Sequence, residues 1–185
     1  MKRLPVEVTG ISICAPYQGY VVILKEREGL RWLPIFIGAP EAHNISLLLQ
    51  GLKYVRPLTY DLFNNLLEAA GARVEAVSIT DLRDNTFFAE VQILLANDRI
   101  RAIDARPSDA IALAIKTRAP IFVSSKVMDE AGLTGEEVPP SPPDIHTQIQ
   151  ELNNRLNEAV EQEAYENAAR IRDQIRSLEE KVRVS

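Results

Sequence analysis

Six charged side chains are the candidates for chemistry in this sequence. The acidic residues are Glu41, Asp61, Asp104 and Asp109, and the positively charged residues are Arg56 and Arg106. Clustered carboxylates bind Mg²⁺ or Mn²⁺, which activates water and stabilises a leaving oxygen. Arginine binds phosphate through two parallel hydrogen bonds. We therefore expect hydrolysis of phosphodiester bonds, with the four acids as catalytic or metal-binding carboxylates and the two arginines as phosphate clamps.

Each acid also has a purely structural explanation, which the sequence leaves open. Glu41, Asp61 and Asp109 each follow a helix-start signal, and an acid in a first turn stabilises the helix by roughly 0.3–1 kcal/mol. Asp104 lies in a predicted strand, where acids are disfavoured. Its two-residue spacing from Arg106 predicts a structural ion pair on one strand face.

The segment RAIDARPSDAIALAIK, residues 101–116, contains three of the six candidates. Its first half alternates in polarity, as in a strand with one exposed face. Pro107 interrupts strand pairing and favours the first turn of a helix. The apolar residues that follow predict a buried helix. We expect a strand carrying Asp104 and Arg106 to turn sharply into a core helix that begins near Asp109.

Periodicity and turn signals place the remaining elements on either side of this segment. The predicted strands are 6–15, 19–27, 31–38, 73–82, 86–96, 99–106 and 120–124. The predicted helices are 40–51, 59–70 and 108–118, with a helical turn at 127–131. Thr59 is the expected N-cap of the second helix, and Gly71 its expected C-terminal cap.

An internal repeat relates the two halves of this region at a constant offset of 68 residues. The matched pairs are Val6-Glu7 with Val74-Glu75, Ile11 with Ile79, Ile35 with Ile103, and Glu41-Ala42 with Asp109-Ala110. This pattern predicts a duplicated β-β-β-α unit, with helix 59–70 inserted between the copies. The expected fold class is α+β, with one mostly antiparallel sheet that is curved or barrel-like.

The composition changes after Leu133. The segment TGEEVPPSPPD contains four prolines, which predicts an extended linker. Two apolar stripes at helical spacing then predict a helical hairpin. We therefore expect three parts, namely a domain at 1–133, a Pro-rich linker at 134–146 and a helical hairpin at 147–185.

Charge and composition limit the classes of partner. Residues 1–133 contain 15 basic and 15 acidic side chains, so a nucleic acid would have to bind at a local site. No apolar run is long enough to predict a signal peptide or a membrane span. A single cysteine, Cys14, cannot form an internal disulfide bond, and this favours a cytoplasmic setting.

Several motifs resemble one known family, the bifunctional nucleases. They are LPIFIGAPEA, VRPLTYDLFNNLLEAAG, IDARPSDAIALAI and APIFVSS, and they cover about residues 5–132. The resemblance implies DNase and RNase activity of low sequence specificity. Where the family typically has histidine in PRPLTHD, this chain has Tyr60. The alternative is therefore a non-catalytic binding or regulatory module that keeps the fold but has lost turnover.

The C-terminal segment is similar to the UVR motif, which is shared by the B and C subunits of the nucleotide-excision endonuclease. The matching string is LNEAVEQEAYENAARIRDQIRSLE, within residues 147–182. The resemblance implies a helical hairpin that binds a protein partner, either another UVR-bearing protein or a second copy of this chain. The remaining alternative is a generic amphipathic hairpin.

Overall fold

The computed structural model describes residues 2–14, 19–51 and 54–135, and six positions in the C-terminal segment. Those six positions are Leu152, Leu156, Ala168, Ile171, Arg172 and Ile175. The chain divides into two compact units, Met1–Ser141 and Pro142–Ser185. In the second unit the six described residues are all helical. The rest of the predicted linker and hairpin lies outside the described residues, apart from Thr134 and Gly135.

The first unit combines eight strands and four helices. The strands are β1 (Arg3–Cys14), β2 (Gly19–Glu26), β3 (Arg31–Ile37), β4 (Arg73–Arg83), β5 (Thr86–Leu94), β6 (Ile100–Ala105), β7 (Ile121–Ser124) and β8 (Leu133–Thr134). The helices are α1 (Ala39–Gln50), α2 (Thr59–Ala69), α3 (Pro107–Thr117) and α4 (Ser125–Ala131). The predicted α+β class is confirmed.

All eight strands form one sheet in the order β6-β5-β4-β7-β1-β2-β3-β8. Every neighbouring pair is antiparallel except β4 and β7, which are parallel. The two predicted repeats appear as the meanders β1-β2-β3 and β4-β5-β6, each followed by a helix, and β7 joins them. The sheet is open, because β6 and β8 are its two edges, so the described strands do not close into the barrel that the sequence also allowed.

The main core lies between one face of the sheet and the helices. Alternate residues of the central strands, such as Val22, Leu24, Val77 and Ile79, are fully buried there. Helix α3 contributes seven buried residues from Pro107 to Ala114, as its apolar sequence predicted.

Local signals fix where the helices begin and end. Pro40 and Pro107 lie in the first turns of α1 and α3, where the absent N–H costs no hydrogen bond. Gly51 and Gly71 have left-handed φ angles of 66° and 67° just after α1 and α2. Glycine adopts this conformation without the steric cost of a Cβ atom.

Two local predictions need correction. The N-cap of α2 is Leu58, and Thr59 is the first helical residue. Strand β6 ends at Ala105, so Arg106 is the N-cap of α3 and does not share a strand face with Asp104. Pro107 accounts for the second difference, because it starts the helix directly after Arg106.

Candidate functional site

The side chain of Arg106 lies at the centre of a charged network. Its Nε donates a hydrogen bond to Asp109 Oδ2 at 2.7 Å, and its Nη1 donates to Glu41 Oε1 at 3.1 Å. The hydroxyl of Tyr60 donates to the second oxygen of Asp109, Oδ1, at 3.0 Å. We call Glu41, Tyr60, Arg106 and Asp109 the Arg106 network.

The Arg106 network joins the starts of three helices. Glu41 lies in the first turn of α1, Tyr60 in the first turn of α2, and Asp109 in the first turn of α3. The N-terminus of a helix carries a partial positive charge, which stabilises a carboxylate or another anion nearby. Arg106 adds a full positive charge, so this corner of the fold is suited to binding negatively charged oxygens.

The repeat explains the positions of the two acids. Glu41 and Asp109 are equivalent in the two copies, at an offset of 68 residues. The same offset aligns Arg106 with Gly38, so the arginine has no counterpart in the first copy. A Cβ atom at Gly38 would lie 2.4 Å from Glu41 Oε2, and the glycine therefore leaves room for the carboxylate.

Exposure differs among the members of the network. The side chain of Arg106 is 67% exposed and that of Asp109 is 40% exposed, whereas that of Glu41 is 21% exposed. A phosphate in solvent can therefore reach the guanidinium without any movement of the backbone. The remaining N–H groups of Arg106 are the donors that would bind it.

The network perturbs two protonation equilibria. Hydrogen bonding to Asp109 raises the pKa of Arg106, which keeps the guanidinium charged. Burial, and then the hydrogen bond to Asp109, raise the pKa of the Tyr60 phenol well above its ordinary value. Tyr60 is therefore a neutral hydrogen-bond donor at physiological pH.

Asp61 belongs to a separate contact. Its carboxylate forms an ion pair with Lys116 of α3 and accepts a hydrogen bond from the backbone N–H of Leu58 at 2.8 Å. The bond to Lys116, followed by the bond from Leu58, lowers the pKa of Asp61. This acid anchors the start of α2 against α3.

Asp104 and Arg56 also lie outside the network. Asp104 is exposed and pairs in register with Glu90, whereas its neighbours Ile103 and Ala105 pair with buried residues of the core face. Because side chains alternate along a strand, Asp104 lies on the sheet face opposite the helices. Arg56 is exposed in the segment before α2 and makes no hydrogen bond or ion pair within the described part of the chain.

The structure thus brings together three of the six predicted residues, Glu41, Arg106 and Asp109. Sequence reasoning did not anticipate that Tyr60 donates to Asp109 or that Lys116 pairs with Asp61. The signal for Lys116 was available, since it is the one basic residue within the apolar sequence of α3. For Tyr60, the available signal was its position next to Asp61 in the first turn of a predicted helix, where a side chain lies close to the other helix starts.

The described side chains do not by themselves fit a divalent-metal centre. In that part of the chain there is no group of three or more His, Cys, Asp or Glu residues that could hold a metal ion. Glu41 and Asp109 are drawn together by Arg106, whose single positive charge offsets one of their two negative charges. Hard cations such as Mg²⁺ require several oxygen ligands, so the predicted metal stays a prediction.

Comparison with known proteins agrees with the family that the sequence motifs predicted. A model of the bifunctional nuclease domain matches residues 22–136, and a model of the UvrB/UvrC motif matches residues 147–181. The match covers β2 through β8 and includes every member of the Arg106 network. This chain belongs to the bifunctional nuclease family, as the sequence motifs predicted, and carries a C-terminal UvrB/UvrC motif.

Individual relatives support the assignment. An uncharacterized protein of Mycobacterium tuberculosis is 42% identical over 128 residues, which cover 69% of this chain and 76% of the relative. Bifunctional nuclease 2 of Arabidopsis thaliana is 24% identical over 189 residues, covering 90% of this chain and 57% of the relative. Bifunctional nuclease 1 of Oryza sativa subsp. indica is 24% identical over 182 residues, covering 87% and 55%. The chain therefore spans a little over half the length of these plant relatives.

None of the helices in the described part of the chain is both long enough and apolar enough to cross a bilayer.

Proposed function

We propose that this protein is a nuclease that hydrolyses phosphodiester bonds of DNA, RNA or both with low sequence specificity. The observation that carries the proposal is the Arg106 network, in which an exposed guanidinium, two carboxylates and a phenol meet at three helix starts. Membership of the bifunctional nuclease family supports the same reaction class. The balanced charge of residues 1–133 limits the contact to a few nucleotides around this corner.

Each member of the network has a distinct role in this proposal. Arg106 binds the scissile phosphate and stabilises the charge that develops on its oxygens. Asp109 is the general base that accepts a proton from the attacking oxygen. Tyr60 holds Asp109 in place, and Glu41 orients the guanidinium of Arg106.

The other predicted residues enter the proposal only as hypotheses. Asp61 anchors α2, and Asp104 and Arg56 lie outside the network, so no step is assigned to them. A divalent metal also remains a hypothesis. No step is assigned to it, because the described carboxylates form no three-donor group.

A second candidate is a non-catalytic module that binds nucleic acid or another anion. The observation that favours it is mutual neutralisation, since both oxygens of Asp109 already accept hydrogen bonds, from Tyr60 and from Arg106. A carboxylate whose two oxygens are both held by donors must break one of these bonds, or share an oxygen, before it can accept a proton from an attacking oxygen. The replacement of the family's usual histidine by Tyr60 also favours a module without catalytic activity.

Digestion assays separate the two candidates. Single-stranded DNA and RNA would be incubated with the wild type and the variants Asp109→Asn and Arg106→Lys, each with Mg²⁺, Mn²⁺ or EDTA. Asp109→Asn removes the general base, and this loss lowers the rate by about 100-fold or more. Arg106→Lys keeps the charge but loses the bidentate geometry that binds phosphate, so both variants should be nearly inactive. Glu130→Gln, at an exposed acid of α4 distant in sequence from the network, is the matched control.

Asp104→Asn is a further variant in the assay, and two outcomes would contradict a nuclease site at the Arg106 network. Cleavage that survives Asp109→Asn but is lost in Asp104→Asn would move the site to β6 and contradict the proposal. Absence of cleavage by wild-type protein, with binding of fluorescent oligonucleotides that Arg106→Lys weakens, would establish the binding module.

We further propose that the segment 147–182 binds a protein partner and that the chain acts in the cytoplasm. The match to the UvrB/UvrC motif supports the first statement, and the single cysteine favours the second. Sedimentation of the full chain with and without a UVR-bearing protein would test the partner. Unchanged sedimentation would leave this segment without that role.

A further inference from the structure

Helix α2 has apolar residues on two sides. Tyr60 and Leu67 pack against the main core, although neither is fully buried. On the other side, Leu58, Leu62 and Leu66 follow one another at intervals of four residues, which places them on one face of the helix. They are 40%, 55% and 59% exposed, and the neighbouring Phe63 is 55% exposed. We call Leu58, Leu62, Phe63 and Leu66 the outer face of α2.

The outer face of α2 is unusual within the described helices. A surface helix normally has one apolar stripe, and this stripe faces the core. Helix α1 exposes one large apolar side chain, Leu49, and the described part of α3 and α4 exposes none. A contiguous apolar patch of this kind marks an interaction surface more often than chance.

We infer that the outer face of α2 binds the same face of a second copy of this chain, with the two helices antiparallel across a two-fold axis at Leu62. At about 200 Å² for each large apolar side chain, the outer face and the fully exposed Val55 offer roughly 500 Å² per chain. Two copies together would bury roughly 1,000 Å², which is the lower limit for a specific interface. Two-fold contacts are also the commonest arrangement in homo-oligomers.

The symmetry also determines which residues meet. A two-fold axis at Leu62 places each residue before Leu62 opposite the residue that follows Leu62 by the same number of positions. Leu58 then meets Leu66 of the second copy, and Leu62 meets Leu62 of the second copy.

Sedimentation velocity of the full chain tests this interface. Over about 1 to 100 µM, a range that covers contacts of this size, we expect the wild type to associate as a dimer. Leu62→Asp would place two carboxylates on the axis and should yield monomers. Leu30→Asp is the matched control, because Leu30 is 69% exposed in a turn between β2 and β3 and should leave the dimer intact.

Either of two results would overturn the inference. One is a wild-type monomer throughout that range. The other is a dimer that Leu62→Asp does not dissociate, which would place association on another surface such as the segment 147–182. Unchanged thermal unfolding of Leu62→Asp would show that the variant is folded.

Discussion

At the scale of single residues, the carboxylate of Asp109 determines how the site is held. One oxygen accepts from the neutral phenol of Tyr60 and the other from the charged guanidinium of Arg106. The hydrogen bond to Asp109 holds the Arg106 side chain against the start of α3, and the hydrogen bond to Glu41 holds it against α1. The phenol brings in α2, so removal of a single hydroxyl group disconnects one helix from the site.

Replacement of Tyr60 by phenylalanine removes that hydroxyl and keeps the ring. The free energy of unfolding near pH 7 should fall by about 1–2 kcal/mol, because a hydrogen bond to a charged acceptor is lost. The raised pKa of Tyr60 stabilises the folded protein below the ordinary value of 10.0, and the contribution is lost as pH rises through the higher folded pKa. The difference between wild type and variant should therefore shrink above pH 10.

Denaturant unfolding at several pH values measures this difference, and ultraviolet titration follows the phenols. The wild type should show the late ionisation of the Tyr60 phenol, and Tyr60→Phe should lose that phase. Tyr20→Phe, in β2, is the matched control and should keep it. Identical late phases in wild type and Tyr60→Phe would contradict the assigned hydrogen bond.

Residue types and spacing predicted part of this site correctly. The first-turn positions of Glu41 and Asp109 could be predicted because proline and small polar residues mark helix starts locally. Their meeting at Arg106 could not, because it depends on how two helices far apart in sequence lie on the sheet. The expected pairing of Asp104 with Arg106 was wrong because the strand ends one residue before Arg106.

At the scale of elements, α2 is the helix among α1 to α4 that tertiary contacts hold least. None of its residues is fully buried. Its start is held by the ion pair between Asp61 and Lys116, the bond from the N–H of Leu58, and the Tyr60 hydroxyl. The position of Tyr60 in the site therefore depends on polar contacts more than on burial.

A double-mutant cycle with Asp61→Asn and Lys116→Met measures the main polar contact of α2. At pH 7 the coupling free energy should be about 0.5–1 kcal/mol, since the pair is partly exposed. The pKa of Asp61 is lowered on folding, so its contribution is present above the ordinary value of 3.8 and is lost as pH falls through the folded value. The coupling should therefore weaken as the pH falls below 3.8 and through the lower folded value.

Urea unfolding of the wild type, both single variants and the double variant supplies the four free energies. Asparagine keeps an acceptor for the Leu58 N–H, so the cycle isolates the pair with Lys116. A coupling that is unchanged between pH 7 and pH 2.5 would show that the ion pair is not its source.

The elements themselves could be predicted, whereas their arrangement could not. Alternation and turn residues gave seven of the strands within a few residues, because these signals are local. The position of β7 between the two meanders, parallel to β4, depends on long-range pairing that no local signal encodes. The two-residue β8 is too short to have a periodic pattern.

At the scale of the whole molecule, charge and proline content distinguish the N-terminal domain from the C-terminal segment, for which different functions are proposed. Residues 1–133 are electrically balanced, whereas 144–185 contain 6 basic and 9 acidic side chains. An acidic C-terminal segment repels nucleic acid, and this is consistent with the proposed role in binding a protein. We expect a susceptible linker between the two parts, because proline disfavours helices and strands and four prolines fall within 139–143.

Limited proteolysis with a protease specific for glutamate tests that linker. The segment 134–144 contains two target residues, Glu136 and Glu137, and Glu130 lies in α4 just before it. We expect early cleavage after Glu136 or Glu137 and a persistent N-terminal fragment, because a protease requires an extended substrate and sites in helices and strands are protected. Glu136→Gln combined with Glu137→Gln is the matched control and should prevent formation of that fragment. Early cleavage inside 6–120, with both linker glutamates protected, would count against the boundary, since it would show that the sheet opens before the linker is cut.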